Sequence, residues 1–314
     1  MQQATKLAAV VGTALAFFAI AAPAHAQATR TFVSGVGNDA DPCSRTAPCK
    51  TFAGAISKTF INGEIDCLDP GGYGAVTITK SITIDCTGTF GSILASGTTG
   101  ITISIAVNAN DPFRTVRLRG FSINGTGASG TIGTRTGIRG VNILSAAVVT
   151  LEDMVISDFT LQGVNDARTT AGGKLFIRNS VIRSNSSSGI SAAATGGGST
   201  VSIENVHSIN NAFGVGVATG NKVSITRSVF AGNSTAGVES DSGGQVGLDS
   251  ALVSGNGNGL QNSGTMSISN SEISFNTTGI SGATSSFGNN RIFGNTAAGT
   301  VPTLGAASSD HGQQ

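Results

Sequence analysis

The stretch ISNSEISFNTTGI, residues 268–280, has three altered copies upstream: IRNSVIRSNSSSGI (177–190), IENVHSINNAFGV (203–215) and ITRSVFAGNSTAGV (225–238). Each copy holds short apolar strands, an Asn, and a Gly that precedes a β-branched residue. The Gly falls at 100, 137, 163, 189, 214, 237, 259 and 279, with spacings that shrink from 37 to 20 residues, and a weaker copy ends at Gly299-Thr300. Six apolar anchors (Ile177, Ile203, Ile225, Leu248, Ile268 and Phe287) are each followed eight positions later by an Asn: Asn185, Asn211, Asn233, Asn256, Asn276 and Asn295. Short runs of period two broken by turn residues, without a helical pattern, predict β-structure throughout.

One such repeat cannot bury its apolar face alone. Stacking successive turns about 4.8 Å apart pairs each strand with its equivalent in the next coil. The result is a parallel β-solenoid of nine or ten coils, on the order of 45 Å long at that rise. Ile177, Ile203, Ile225 and Ile268 then share one aliphatic column. The asparagines stack into an amide ladder like those of cross-β structures; exposed turn asparagines are the alternative. The residues after the anchors, Asp85, Arg119, Glu152, Arg178 and Glu204, alternate in sign from coil to coil, which suits cross-strand pairing on an outer face.

Residues 1–26, MQQATKLAAVVGTALAFFAIAAPAHA, combine Lys6, an apolar run and a small-x-small site, the pattern of a cleaved signal peptide. The expected product is exported, periplasmic or extracellular, with no integral membrane segment remaining. Without Lys6 the 18 cations become 17, equal to the 17 anions, so nucleic acid is not the expected partner. Cys43 and Cys49 flank the loop CSRTAPC and are the expected disulfide. Cys67 and Cys86, in the like contexts EIDC and TIDC, are either bridged or stacked as thiols in the core. KTFAGAISKTF (50–60) puts Phe52, Ala55, Ile56 and Phe60 on one helical face, and such a helix would close the first coil. The expected organisation is a cap over 27–64, coils over 65–300 and a loose tail over 301–314.

The N-terminal block FVSGVGNDADPCSRTAPCKTFAGAI, through Phe32, Val33, Ser34, Gly37, Asp39, Pro42, Pro48, Lys50 and Thr51, resembles the opening of secreted proteins of the pectin-lyase-like superfamily. The coil repeats resemble that superfamily's Asn-laddered rungs. The resemblance implies an all-β, single-stranded right-handed parallel β-helix with a short N-terminal capping helix. It implies no single activity, because such solenoids carry lyases, hydrolases, epimerases and non-catalytic binders.

The chemistry of those enzymes is not legible. The hydrolase patterns Asn-Thr-Asp and Gly-His-Gly are missing, and Arg291-Ile292 is followed by Phe293 rather than Lys. The epimerase pattern Asp-Pro-His reads Asp111-Pro112-Phe113. Two residues beyond each repeated Gly, the expected outward row is Thr102, Arg139, Asn165, Ser191, Gly216, Glu239, Gln261 and Ser281, with one acid and one base several coils apart. The nearest constellation is Arg139 with Asn165, Asp166 and Arg168, a set able to hold a uronate or to be a solvated charge patch. His207 is a lone strand histidine beside Val206, no Cys/His cluster has metal-ligand spacing, and no cofactor is expected. The sequons at Asn185, Asn233 and Asn276 coincide with the predicted ladder. No catalytic residue is assigned. The reading is a polysaccharide binder at or outside the cell surface, with an atypical polysaccharide lyase or hydrolase and a protein-binding scaffold as alternatives.

Overall fold

The computed structural model describes residues 27–126 and 135–304. The signal-peptide reading of residues 1–26, and the tail beyond residue 304, lie outside the described residues. Strands from successive coils pair in parallel and form three faces. On the first face the inward column runs Ile65, Ile84, Leu118, Leu151, Ile177, Ile203, Ile225, Leu248 and Ile268. On the second it runs Ile93, Ile123, Ile156, Ile182, Ser208, Phe230, Val253, Ile273 and Ile292. The third face is a ten-stranded parallel sheet, one strand per coil, with Val76, Ile101, Val141, Val164, Ile190, Val215, Val238, Leu260 and Ile280 inward. Nearly all of these side chains are fully buried, so the three columns meet in one core.

The repeat slips at two places. Val141 pairs with Ile101 and Val164, so the glycine in register is Gly140, not Gly137. The segment TGIRGV contains two Gly-aliphatic pairs, and the spacing alone does not choose between them. In the last coil Ser286, not Phe287, pairs with Ile268; an extra residue between strand and ladder lets Asn295 keep its place.

The corner from first to second face is turned by Asp153, Asn179, Asn205, Arg227, Ser250, Asn270 and Asn289, all left-handed at φ 48–56°. Asn and Asp tolerate that conformation better than most residues. The next corner carries the buried ladder. The Asn Nδ2 groups donate to the next Asn Oδ1 at 2.9 Å from Asn185 to Asn211, 3.4 Å from Asn211 to Asn233, and 2.9 Å for the steps ending at Asn256, Asn276 and Asn295. Each Oδ1 also accepts the preceding Asn backbone N–H, as from Asn211 to Asn233 at 3.0 Å. The repeated Gly has a steric cause: a Cβ at Gly237 would lie 2.6 Å from Val253 Cγ1 and 3.0 Å from the Asn256 amide.

The cap begins with strand Ala28–Val33, which pairs in parallel with Thr59–Cys67. The helix spans Phe52–Lys58, and its N-cap Thr51 Oγ accepts from Gly54 N. Phe52 and Ala55 are buried beneath it, and Phe52 packs on Tyr73 and Phe121. Phe60 is not on the helical face. It is exposed on the following strand, because the backbone becomes extended at Thr59. The strand that follows the helix pairs with the next coil from Gly63 to Asp66. Cys43 is bonded to Cys49 and Cys67 to Cys86. The second pair joins adjacent strands whose Cα atoms are 4.7 Å apart, within the usual bridging range.

Candidate functional site

The four residues singled out as a polysaccharide contact do not form one surface. With Gly140 in register, Asn142 rather than Arg139 takes the outward position, and Asn165 Nδ2 donates to Asn142 Oδ1 at 2.8 Å. Arg139 lies before the strand, where its Nε donates to Gln162 Oε1 at 2.8 Å. Asp166 pairs with Ile143 and Ala192 in the inward column, and both Asp166 and Arg168 are 0% exposed. Arg168 grips Asp166 through Nε at 2.7 Å and Nη2 at 2.5 Å, and its Nη1 donates to the Ala146 and Lys174 carbonyls at 3.2 Å. Those two residues are an internal ion pair beyond the reach of a polymer. Asn165, only 7% exposed, offers little more.

The ladder asparagines 185, 211, 233, 256 and 276 are buried, so the sequons at Asn185, Asn233 and Asn276 are closed to modification. Asp111 is also buried and holds its loop, accepting from Ser81 N at 2.6 Å and Ser81 Oγ at 2.5 Å. His207 stands exposed on the second face between Val181 and Val229. Among the described residues, no three His, Cys, Asp or Glu side chains converge as metal ligands.

The outer surface of the first face gathers a different set. Its first outward column runs Val148, Lys174, Thr200, Lys222, Gln245 and Thr265. The second runs Arg117, Thr150, Phe176, Ser202, Ser224, Gly247 and Ser267. Over these coils lies an open groove of about 280 Å³, lined by Thr200, Lys222, Ser224, Gln245, Thr265 and Ser267 among others. Phe176 is 38% exposed at its edge, between Lys174 and Arg178 on the same strand. The sequence reading missed this aromatic, although period two in KLFIR places Lys174, Phe176 and Arg178 on one side.

In the third outward column, the acids of the charged run Asp85, Arg119, Glu152, Arg178 and Glu204 are paired with arginines. Arg119 reaches Asp85 at 2.9 Å and Glu152 at 3.0 Å, Arg178 reaches Glu152 at 3.0 Å, and Arg227 pairs with Glu204. Asp249 is held below the usual carboxylate range by hydrogen bonds from Ser269, Asn270 and Ser250. Arg117, Lys174 and Lys222, by contrast, make no ion pair among the described residues. They follow one another at intervals of two coils, about 10 Å along the axis at 4.8 Å per coil. On the third face Glu239 accepts from Gln261 Nε2 at 3.0 Å, and burial with Asp241 nearby raises its pKa.

The family described as a right handed beta helix region matches residues 163–310. The A-module of the Azotobacter vinelandii mannuronan C-5 epimerase AlgE6 superposes with a TM-score of 0.57 at 16% identity, covering 77% of this chain and 71% of that one. This chain is a right-handed parallel β-helix of the pectin-lyase-like fold. The pectate lyase Pel9A superposes with a TM-score of 0.51 at 16% identity, over 88% of this chain and 78% of that chain. At such identities the likeness of the β-helix to these structures concerns fold alone. No curated protein matches the sequence.

Proposed function

We propose that this β-helix is an exported polysaccharide-binding protein that holds an acidic glycan along its first face without cleaving it. The observation that carries the reading is the strip of Arg117, Lys174 and Lys222 beside exposed Phe176, bordered by Thr200, Ser202, Ser224 and Gln245. The cations suit carboxylates on alternate sugars of an extended chain. The Phe176 ring suits the apolar face of a pyranose, and the hydroxyl and amide groups suit sugar hydroxyls. The two neighbours named above are a mannuronan epimerase and a pectate lyase, and this polymer class is the natural starting point. Export rests on the leader pattern of residues 1–26.

Retention of the purified protein on immobilised polygalacturonate and alginate, followed with an assay for new chain ends, tests this reading. The expected result is retention without new ends. Lys174→Ala with Lys222→Ala should raise Kd by about tenfold, or about 1.4 kcal/mol. New chain ends would make the protein an enzyme, and unchanged retention in the double variant would remove this face from the binding surface.

A further inference from the structure

The two ends of the solenoid are finished differently. At the N-terminal end the cap loop occupies the outer edge of strand Ala28–Val33. Phe32 N donates to the Cys43 carbonyl at 2.8 Å, and Cys49 N donates to the Phe32 carbonyl at 2.9 Å. Helix Phe52–Lys58 covers the core there with Phe52 and Ala55. At the other end the inward columns run out uncovered. Leu304 continues the first column, through Ser286 to Ile268, and is 85% exposed. Ile292 continues the second and is only partly buried, and Gly299 continues the third opposite Ile280. Val301, between the last two strands, is 80% exposed. On the outside of the same coil, exposed Phe293 meets exposed Phe275 edge-on, with ring centres 5.5 Å apart.

The backbone is open there as well. Among the described residues, strands Arg291–Phe293, Ala297–Gly299 and Thr303–Leu304 each pair with the preceding coil alone. Asn295 is the last rung of the ladder. Asn276 N donates to Asn295 Oδ1 at 2.9 Å, but among the described residues no further Oδ1 receives the Asn295 N–H. Such an edge calls for another extended backbone, carrying apolar side chains to meet the columns.

Three observations choose the occupant. The residues that follow, GAASSDHGQQ (305–314), hold no aliphatic side chain larger than Ala, so they do not supply the apolar layer. The N-terminal end of a second copy has its edge and core already covered, which bars head-to-tail stacking. The C-terminal end itself is apolar and almost uncharged. From Gly282 to Leu304 the one charged residue is Arg291, paired with Glu272 at 3.0 Å. Charges and prolines within strands are what keep sheet edges apart. Here Pro302 lies between two strands rather than in one.

We propose that the C-terminal end is a self-association surface, where two copies of this chain meet tail to tail about a two-fold axis. An axis across the solenoid reverses strand direction, so the last coils pair antiparallel and the contact closes at two copies. Ile292, Val301 and Leu304 of each copy cover the columns of the other. The cross-section of one coil is a small contact, so the pair forms reversibly and depends on concentration.

Sedimentation velocity of the purified protein from about 1 to about 100 μM spans the affinities of so small an interface. The expected mass rises from one chain to two and stops there. Hydrogen exchange of the Arg291–Gly299 amides should slow by at least about tenfold between those concentrations. Val301→Lys with Leu304→Lys, both at exposed positions, brings like charges together across the seam and should raise Kd at least about tenfold. Val36→Lys, at a 92% exposed site on the cap, should leave Kd unchanged. A single chain at every concentration overturns the proposal. If Arg291–Gly299 is then protected even at the lowest concentration, another segment of the same chain fills the end. Growth beyond two chains, or association that survives the lysine pair or is lost in Val36→Lys, also overturns it.

Discussion

Asn233 satisfies three neighbours at once: its Nδ2 donates to the Ser208 carbonyl at 3.2 Å and to Asn256 Oδ1 at 2.9 Å, while its Oδ1 accepts the Asn211 backbone N–H at 3.0 Å. Replacing it by Ala leaves buried partners unpaired. Urea denaturation should register a loss of about 2–4 kcal/mol. Asn205→Ala loses only an exposed amide contact of 2.9 Å to Asn179 but puts Ala in the left-handed corner conformation, and should cost about 1 kcal/mol. Arg168→Ala should cost about 3–5 kcal/mol, because it strands the buried Asp166 carboxylate, and should leave glycan affinity unchanged in the folded fraction. The ladder was legible because a column repeats one residue type at one spacing. The Asp166–Arg168 pair was misjudged as surface for a reason of phase: with Val164 inward, Asp166 two residues on must also be inward, yet its charge argued for solvent.

Secondary-structure elements were easier to read than their contents. The repeated strands and the capping helix follow from apolar period, but Phe60 shows that a helical face extends only as far as the backbone stays helical. Register between elements needed the structure. TGIRGV admits two phases, and the choice of Gly140 moves Arg139 off the third-face strand and puts Asn142 beside Asn165. The candidate glycan surface on the first face depends wholly on register, because Arg117, Lys174 and Lys222 lie far apart in sequence and align only when the coils stack. Within the strand Gly173–Arg183, Phe176→Ala should weaken glycan retention by about tenfold while costing little stability, since the ring is partly exposed. Parallel denaturation and retention measurements on that variant would separate the two effects.

At the scale of the molecule, each coil contacts chiefly its neighbours, so stability is a sum of coil terms and interfaces. The N-terminal end is closed by helix Phe52–Lys58 and by strand Ala28–Val33. Toward the other end burial declines: Ala297–Gly299 is exposed throughout and Ile292 only partly buried. Hydrogen exchange should therefore show protection highest in the middle coils and lowest over Arg291–Gly299, and uniform protection to Gly299 would argue against that gradient. Fold was legible because a solenoid writes the same instruction many times. Function was not, because the proposed binding strip is written once, across several coils. The most direct test of the account is a hydrogen-exchange footprint of the protein with and without polygalacturonate, scored together with new chain ends. The account predicts added protection confined to the first-face strands around Lys174–Arg178, Thr200–Glu204 and Lys222–Thr226, with no new ends. Protection on the second or third face, or cleavage of the polymer, would contradict it.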